Sequence, residues 1–362
     1  MEYSFEDVLT IRNGRNQKAV ENPNGKYPIY GSGGIMGYAD DFICSGDTVI
    51  IGRKGNINNP IYVSEPFWNV DTAFGLESKN DLLNPRYLFY FCKRFDFEKL
   101  NKTVTIPSLT KSDLLKIRLN VPELSIQEEI VSKLVKLEKI VQLRLNELQK
   151  LDELVKARFV EMFGNPITNE KGWNVEELDS VCDAIGDGLH GTPEYDEDGK
   201  YPFINGNNLM NGVIEVTPST KKVSEKTYKK YYIELTDNAI LLSINGTLGK
   251  LAFYNGEEVM LGKSACYCNL KQKINREFVY GVMKTEAFTR FLERNATAST
   301  IKNVGLRAIR GFKLILPPEE LQIKFVNFSR QIDKSKVVVP SKIKNAIFAI
   351  MLSVSFGQIT SI

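Results

Sequence analysis

One hydrophobic stripe with helical spacing runs through the centre of the chain. No proline or glycine occurs from Leu124 to Phe163, and Gly164-Asn165-Pro166 then ends the pattern. Positions that alternate steps of four and three residues from Ile130 to Met162 are apolar in eight of ten cases. This 3.5-residue period predicts a long helix over 124–163 whose seam packs against a partner helix. We assign that seam to Ile130, Leu134, Leu137, Val141, Leu148, Leu151 and Val155.

A second helix begins in the same way but breaks off. Pro317-Pro318-Glu319 opens it, and Phe325 and Phe328 continue its apolar face. Val337-Val338-Val339-Pro340 then interrupts the pattern, and no charged residue follows Lys344. Since proline cannot continue a helix, we expect a shortened second spacer helix with an apolar C-terminal tail.

The segments before the two helices repeat each other. The stretch from Thr105 to Gln127 matches Thr300 to Gln322 at an offset of 195 residues without a gap. Asp47–Gly55 echoes Asp237–Gly246 at an offset near 190, and Lys26–Ile29 echoes Lys200–Phe203 at 174. The drifting offset indicates insertions in the second copy. A solenoid needs several short repeats, so two long ones predict duplicated domains.

Each copy carries strands first and helices later. Apolar runs such as Thr48–Ile51 and Ala239–Ile244 are strand-like and alternate with Gly/Asn turns, and helical patches follow at Pro85–Arg94 and Glu277–Arg294. The predicted fold class is α+β, with two mixed α/β domains separated by long antiparallel coiled-coil helices, the second of them truncated. The predicted boundaries are a first domain over 1–123, a central helix over 124–163, a second domain over 164–318, and a shortened helix with its tail over 319–362.

The charge balance is nearly neutral in every segment except the tail. The net charge is +3, and the two domains hold 15 basic with 15 acidic and 19 basic with 19 acidic side chains, while 319–362 holds six basic and three acidic. A surface for a polyanionic partner would therefore have to be formed by local clusters of cations.

Composition favours a cytoplasmic protein without a membrane segment. The longest apolar stretch, Ala346–Phe356, is 11 residues long and contains two serines, whereas a membrane helix needs about 18 apolar residues. The five cysteines are odd in number and irregularly spaced, so we expect reduced packing residues.

The usual signatures of catalysis and metal binding are weak. His190 is the sole histidine, and Cys182 lies eight residues before it, so a Cys/His nucleophile pair stays open. Gly31–Gly37 fits a dinucleotide loop poorly, and Glu194 with Asp196–Asp198 is better explained by a solvated loop than by a cation site. We therefore expect no catalytic residue, no metal site and no cofactor on this chain.

Two local clusters carry cations in a form that suits DNA. Arg53, Lys54 and Asn56 surround a glycine turn after a strand, where backbone and side chains can meet phosphate together. Asn245 and Thr247 lie in the corresponding turn of the second copy. The second cluster interleaves tyrosines with lysines, which combine counterion release with stacking. Its lysines are Lys221, Lys222, Lys226, Lys229 and Lys230.

Several motifs in this order resemble the specificity (S) subunits of type I restriction-modification systems. One opens the second copy, Gly172-Trp173 to Val181, and another is the loop Asp183 to Tyr195. Others are the glycine turns at Arg53–Gly55 and Asn245–Gly249, and the Pro-x-x-x-Ile/Leu-Gln helix starts at Pro122 and Pro317. Arg158 to Gly164 closes the central helix as in that family. The similarity covers the chain up to about Ile332.

The resemblance implies a non-catalytic DNA-recognition subunit. Two target recognition domains each read one half of a split, asymmetric site in double-stranded DNA, and the helices dock two methyltransferase (M) subunits, which restriction (R) subunits join. S-adenosylmethionine, Mg and ATP are then expected on those partner chains. The protein would act in the cytoplasm of a bacterium or archaeon.

Two other interpretations stay open at this stage. A coiled-coil scaffold whose globular ends bind protein or glycan would show no salt-dependent DNA affinity. A hydrolase built on Cys182 and His190 would lose its activity when His190 is replaced by alanine.

Overall fold

The computed structural model describes residues 1–103 and 106–337. These residues form two compact units, and the chain passes from one to the other inside the central helix, between Leu145 and Asn146. The predicted truncation of the second helix concerns 338–362 and lies outside the described residues.

The first unit consists of small sheets with helices packed on them. Its strands are β1 (Glu2–Ser4), β2 (Leu9–Asn13), β3 (Tyr27–Gly31), β4 (Gly34–Ala39), β5 (Thr48–Gly52), β6 (Ile61–Val63), β7 (Trp68–Asn69), β8 (Ala73–Ser78) and β9 (Arg118–Asn120). Its helices are α1 (Phe5–Val8), α2 (Pro85–Arg94), α3 (Lys111–Leu115) and the first part of α4 (Leu124–Phe163). Short 3-10 turns lie at Gln17–Ala19 and Phe97–Leu100.

Two sheets and a strand pair organise this unit. The larger sheet has the antiparallel order β2-β8-β5-β6, with Val49 opposite Leu76. The smaller sheet has the order β4-β3-β7, in which β3 and β7 are parallel. Strand β1 pairs with β9 and so brings the start of the chain beside the entry to α4. All five residues of β5 are buried, which explains its unbroken apolar run.

The second unit contains the remaining elements. Its strands are β10 (Asn174–Glu177), β11 (Cys182–Asp187), β12 (Tyr201–Ile204), β13 (Leu209–Met210), β14 (Val213–Ile214), β15 (Lys222–Val223), β16 (Ala239–Ser243), β17 (Leu251–Phe253), β18 (Met260–Leu261), β19 (Ala265–Leu270) and β20 (Lys313–Leu316). Its helices are the end of α4, then α5 (Glu225–Lys230), α6 (Arg276–Met283), α7 (Glu286–Asn295), α8 (Leu306–Arg310) and α9 (Glu319–Val337), with 3-10 turns at Leu178–Val181 and Gly206–Asn208.

The second unit repeats the topology of the first strand by strand. The order β11-β19-β16-β17 corresponds to β2-β8-β5-β6, and β15-β12-β18, with its parallel β12–β18 pair, corresponds to β4-β3-β7. The pair β10–β20 corresponds to β1–β9. Within the second unit the β13–β14 hairpin and α5 are added between the equivalents of β3 and β5, which is where the sequence offset rises. The structure therefore shows one fold used twice.

Helix capping is duplicated as well. Asn84 accepts hydrogen bonds from the backbone of Arg86 and Tyr87 at the start of α2, and Asn275 does the same for Glu277 and Phe278 at the start of α6. These side chains satisfy backbone donors that a helix leaves open at its N-terminus. The predicted helical patch Glu277–Arg294 proves to be two helices, because Thr285 adopts an extended backbone between α6 and α7.

The central helix contributes to the core of each unit. Val131 and Leu134 are buried with Phe5, Tyr87 and Phe91 in the first unit. Near its other end, Phe159 and Phe163 are buried with Phe278 of α6 and Phe325 of α9. Burial of these large aromatic side chains stabilises the packing at that end of the helix.

Helices α4 and α9 run antiparallel within the second unit. The ring centroids of Phe159 and Phe325 are 5.3 Å apart, and Arg158 lies 5.8 Å over the ring of Phe328. Further along, Lys336 Nζ lies 2.7 Å from Asp152 Oδ1. Residue numbers fall along α4 as they rise along α9, so the antiparallel helix pair and the α+β fold class predicted from the sequence are confirmed.

Candidate nucleic-acid interface

In the first unit, a polar turn after β5 is fixed by backbone hydrogen bonds on two sides. Arg53 N donates to Thr72 O (2.7 Å), Leu109 N donates to Arg53 O (2.9 Å), and Gly55 N donates to Pro107 O (2.9 Å). Gly55 has a φ of +78°, which favours glycine. The side chains of Arg53, Lys54 and Asn56 are exposed. The turn is thus held by its backbone and presents its side chains to solvent.

The second unit holds the corresponding turn in the same way. Val304 N donates to Ile244 O (2.9 Å), and Gly246 N donates to Lys302 O (2.9 Å). Gly246 has a φ of +75°. We call this arrangement of a turn bonded to a following loop the turn clamp, and its members are Arg53–Asn56 with Pro107–Leu109 in the first unit and Ile244–Thr247 with Lys302–Val304 in the second.

The side chains presented by the two clamps differ. Asn245 Nδ2 donates to Asn303 Oδ1 (3.2 Å), and Thr247 is exposed. Ser243 Oγ donates to Thr247 O (2.6 Å) and shapes the second turn, whereas Gly52 occupies the equivalent place in the first. The first clamp is cationic and the second is mostly neutral and polar, so one frame carries two chemistries.

Among the residues that the structure describes, the cations of the clamps are not ion-paired. Within the described ranges 1–103 and 106–337, Arg53, Lys54 and Lys302 make no ion pair. Arg53 lies over the ring of Phe74, with 5.7 Å from its guanidinium carbon to the ring centroid. Lys302 was not among the residues predicted from the sequence. The 195-residue repeat could have identified it, because it places Lys302 opposite Pro107 in the equivalent loop.

The lysine–tyrosine segment forms β15 and α5, and all five predicted lysines are exposed. Phe203 N donates to Lys221 O, and Lys222 pairs with Pro202, so the segment runs antiparallel beside β12. Val223 pairs with Tyr201 at the start of β12, and α5 follows with the remaining three lysines. The segment therefore places exposed cations alongside β12.

The tyrosines of this segment pack within the unit. The rings of Tyr228 and Tyr201 are stacked with centroids 4.0 Å apart and an interplanar angle of 6°. Lys230 lies 4.9 Å over the ring of Tyr231. Base stacking on Tyr228, expected from the sequence, is not available on the face that Tyr201 covers. Lys229 is hydrogen-bonded to Glu225, which raises the pKa of Lys229.

The structure separates the Cys182 and His190 side chains. Cys182 begins β11 and His190 follows its end, and five residue steps at about 3.3 Å per step place those ends roughly 16 Å apart. Cys182 is buried, and its hydrogen bond with Cys268 together with burial raises the pKa of the Cys182 thiol. His190 Nε2 instead lies 2.9 Å from Asp187 Oδ2. A Cys/His nucleophile pair does not form, which contradicts the hydrolase interpretation.

The described residues offer neither a metal-binding cluster nor a membrane-spanning helix. In residues 1–103 and 106–337 no group of three or more His, Cys, Asp or Glu side chains could hold a metal ion. Among the helices of that same part of the chain, none is both long enough and apolar enough to cross a membrane.

The predicted seam residues are buried to different degrees. Leu134 is buried in the core of the first unit, and Ile130 packs against that core. Val155 packs against the core of the second unit. The remaining seam positions are half-buried, namely Leu137, Val141, Leu148 and Leu151.

The fold and the candidate site define a class of protein that has two equivalent α+β units, a long helix shared between them and a clamped polar turn in each unit. Comparison with known families identifies it further. Residues 1–155 and 170–348 each match the model of the type I restriction modification DNA specificity domain. The chain therefore belongs to this family, and the resemblance seen in the sequence is confirmed.

Individual relatives agree with this assignment. A putative type I specificity subunit of Mycoplasma pneumoniae is 20% identical over 301 residues, which cover 79% of this chain and 78% of that protein. A putative type I restriction enzyme specificity subunit of Haemophilus influenzae is 26% identical over 133 residues, which cover 35% of this chain and 34% of that protein.

A solved structure shares the fold. The S subunit of the type I restriction-modification system of M. genitalium superposes with a TM-score of 0.57, at 16% sequence identity, over 99% of this chain and 96% of that one. A chain from a structural study of complex assembly and conformational transition in the type I system also gives a TM-score of 0.57, at 15% identity, over 97% of this chain and 94% of that one.

Proposed function

We propose that this chain is the DNA-reading subunit of a type I restriction-modification complex and recognises a bipartite, asymmetric duplex, with one half-site for each of the domains 1–123 and 164–318. The observation that supports this most directly is the duplicated turn clamp. Its backbone is the same in both units, while Arg53 and Lys54 of one are replaced by Ile244 and Asn245 of the other. Two readers with different side chains favour two different half-sites.

The side chains of the clamps divide into two roles. Arg53 and Lys54, and the lysines of β15 and α5, suit phosphate oxygens, which fix position and give salt-dependent affinity. Asn56, Asn245 and Thr247 offer short donors and acceptors of the kind that read base edges. We propose base reading for these three polar residues and phosphate binding for the cations.

A split site also suits the length of the central helix. Helix α4 has 40 residues, which at about 1.5 Å per residue gives roughly 60 Å. One turn of DNA is about 34–36 Å long. A spacer of this length is compatible with two half-sites separated by unread base pairs.

The catalytic work is proposed to lie on other chains. Two methyltransferase subunits would dock along the helices, restriction subunits would join them, and S-adenosylmethionine, Mg and ATP would bind to those partners. The complex would act in the cytoplasm of a bacterium or archaeon.

The proposal is tested by methylome sequencing of a strain with and without this gene, in the presence of an adenine methyltransferase partner. We expect one split motif that disappears with the gene. A methylome that is identical in both strains would contradict the proposal and leave the scaffold interpretation standing.

A binding measurement with the purified complex then tests the cationic clamp. On the duplex so identified, Arg53→Gln should make the negative slope of log affinity against log salt less steep by about 0.9, because one phosphate contact is lost. Arg118→Gln is the matched control, since Arg118 lies on β9 and already pairs with Glu2 at 3.3 Å. Equal slopes for Arg53→Gln and the wild-type chain would exclude a phosphate contact at Arg53.

A further inference from the structure

An exposed isoleucine immediately precedes the loop segment of each turn clamp. Ile106 is 59% exposed and Ile301 is 64% exposed. They are related by the 195-residue repeat and each immediately precedes the residue that accepts the hydrogen bond from the glycine of its turn. Single exposed apolar residues are common on protein surfaces, but two at equivalent positions of two divergent copies call for a shared cause.

The backbone carbonyl of each isoleucine accepts a hydrogen bond from a nearby hydroxyl group. Thr103 Oγ1 donates a hydrogen bond to Ile106 O, and Ser299 Oγ donates to Ile301 O at 2.7 Å. In the second unit Thr297 N also donates to Asn303 O at 2.9 Å. The same carbonyl is therefore capped by a hydroxyl in both loops. Because isoleucine is β-branched, its χ1 rotamers are restricted, which lowers the side-chain entropy that a contact would cost.

The neighbourhood of the isoleucines favours DNA over a protein partner. Lys302 directly follows Ile301 in the chain, and Lys54 precedes the glycine whose amide bonds to the residue after Ile106. Neither lysine makes an ion pair within the described ranges 1–103 and 106–337. Each isoleucine also lies on the loop that fixes the turn assigned above to DNA reading. An apolar group brought to a base edge by phosphate-binding neighbours meets one apolar feature in the major groove, the C5-methyl group of thymine.

We propose that Ile106 and Ile301 are specificity-determining residues, each of which contacts a thymine methyl group in its own half-site. The inference rests on the proposed DNA-reading function and adds the chemistry of two contacts to it. It requires that each half-site contain an essential A·T pair at a position next to the phosphates bound by the clamp.

The test uses the full chain in complex with its methyltransferase partner and the duplex found by methylome sequencing. Replacing thymines by uracil one at a time should weaken wild-type binding about fourfold at one position in each half-site, as expected for one buried methyl group. With Ile106→Ala that loss should vanish in one half-site only, and with Ile301→Ala in the other only. Both variants should keep the wild-type salt dependence, since no charge is removed.

Matched controls separate a base contact from a change in folding. Ile35 of β4 and Ile167 are 55% and 53% exposed and lie outside the clamps and outside α4 and α9, so Ile35→Ala and Ile167→Ala should retain the wild-type response to uracil. Ile106→Val and Ile301→Val should keep most of the wild-type response to uracil, because valine retains a β-branched apolar side chain. Thermal melting of each variant should match the wild-type chain.

The outcomes distinguish the inference from the proposed function. If wild-type complex binds its split motif but neither alanine variant changes the response to uracil, the isoleucine contact is wrong and the DNA-reading function stands. If the alanine variants lose the methyltransferase subunit while their uracil response is unchanged, the isoleucines contact protein and the inference is overturned. If wild-type complex shows no sequence preference at all, the proposed function itself fails.

Discussion

At the scale of single residues, one contact shows how the two copies keep their frame while their sequences differ. A Cβ atom on Gly52 would lie 2.1 Å from Asn56 O of its own turn and 3.0 Å from Cβ of Ser32, and a Cβ atom on Gly206 would lie 2.7 Å from Cβ of Ser243. The two pairs occupy equivalent positions, with serine and glycine exchanged. In the second unit the close approach of Ser243 leaves little room for a side chain at Gly206, whereas Gly52 is required first by the backbone of its own turn.

This exchange predicts strong coupling between Gly206 and Ser243. Gly206→Ser should lower the free energy of unfolding by about 1–3 kcal/mol through overpacking. Ser243→Gly should cost about 1–2 kcal/mol, because the hydrogen bonds of its hydroxyl to Thr247 O and Lys250 N are lost. In the double variant the nearest atom to the new Cβ is Ser264 O at 3.2 Å, so part of the clash is relieved.

We therefore expect the double variant to be more stable than the sum of the single effects by about 0.5–3 kcal/mol, measured by urea unfolding. Thr10→Ser on β2, an exposed position in the first unit, serves as a third variant whose effect should add to the others. Additive free energies for Gly206→Ser and Ser243→Gly would contradict the shared-space explanation.

The sequence predicts some of these residue-level features and misses others. The turn residues Arg53 and Lys54 are predictable, because a glycine turn after an apolar strand exposes its neighbours whatever the tertiary structure. The stack of Tyr228 on Tyr201 is not, because 27 positions of sequence separate them and only the β12–β15 pairing brings them together. The local sequence pattern thus predicts which residues are exposed, whereas the residues that they contact depend on the tertiary fold.

At the scale of secondary-structure elements, the pair of α4 and α9 ends in a small ionic cluster. Lys336 Nζ lies 2.7 Å from Asp152 Oδ1 of α4 and 2.8 Å from Asp333 Oδ1 of its own helix. Partial burial would lower the pKa of Lys336, but its hydrogen bonds to the two carboxylates outweigh that effect, and the pKa is raised. The cluster therefore favours the charged form of Lys336 in the folded protein.

Removing this charge should weaken the helix pair slightly. Both carboxylates are more than one-third exposed, so solvent screens the interaction and Lys336→Met should cost only about 0.5–1 kcal/mol. A group whose pKa is raised by folding stabilises the folded state at pH values below its pKa in the unfolded chain, which is about 10.4 for lysine. The difference in free energy of unfolding between wild type and Lys336→Met should therefore be constant from neutral pH to about pH 10 and then shrink.

Thermal denaturation across this pH range, with Lys334→Met as the control on the same helix, measures the effect. A difference that grows with rising pH would have the opposite sign to the expected one, and would show that Lys336 is not stabilised in its charged form.

The predictability of the helices depends on the length of their pattern. Helix α4 is predicted with its bounds, because a 3.5-residue period held over 40 residues has few alternatives. The break between α6 and α7 is missed, because both helices are amphipathic and the only signal is Thr285 before Glu286. The side chain of Thr285 donates to Val282 O rather than capping α7, so even a capping rule would have misplaced its role.

At the scale of the whole molecule, the chain is one fold duplicated with unequal insertions. The gapless 195-residue offset predicts where the copies end, since Pro122 and Pro317 precede equivalent helices. The interiors could not be aligned from sequence, because the β13–β14 hairpin and α5 shift the offset between two strands. Within these interiors, the strand orders of the two units are needed to identify which residues correspond.

Duplication predicts that the two clamps act on separate half-sites. Asn245→Ala should relax base preference in one half-site by about 1–3 kcal/mol of discrimination and leave the other unchanged, because a base contact specifies only where it touches. Selection of bound duplexes from a randomised library by the assembled complex measures both half-sites at once. Asn174→Ala on β10 is the matched control, and relaxation of both half-sites by Asn245→Ala would contradict independent reading.

The hydrogen bonding of the turn clamp determines which mutations the fold tolerates during evolution. The hydrogen bonds that both clamps share join backbone atoms, and the left-handed backbone that favours glycine occurs at Gly55 and Gly246. Exposed substitutions away from such features usually alter stability by no more than about 0.5 kcal/mol. Mutations at Lys54, Asn56 and Thr247 should then be nearly neutral for folding. On the proposed function, the recognised DNA sequence could therefore change by substitution at these positions without loss of the fold.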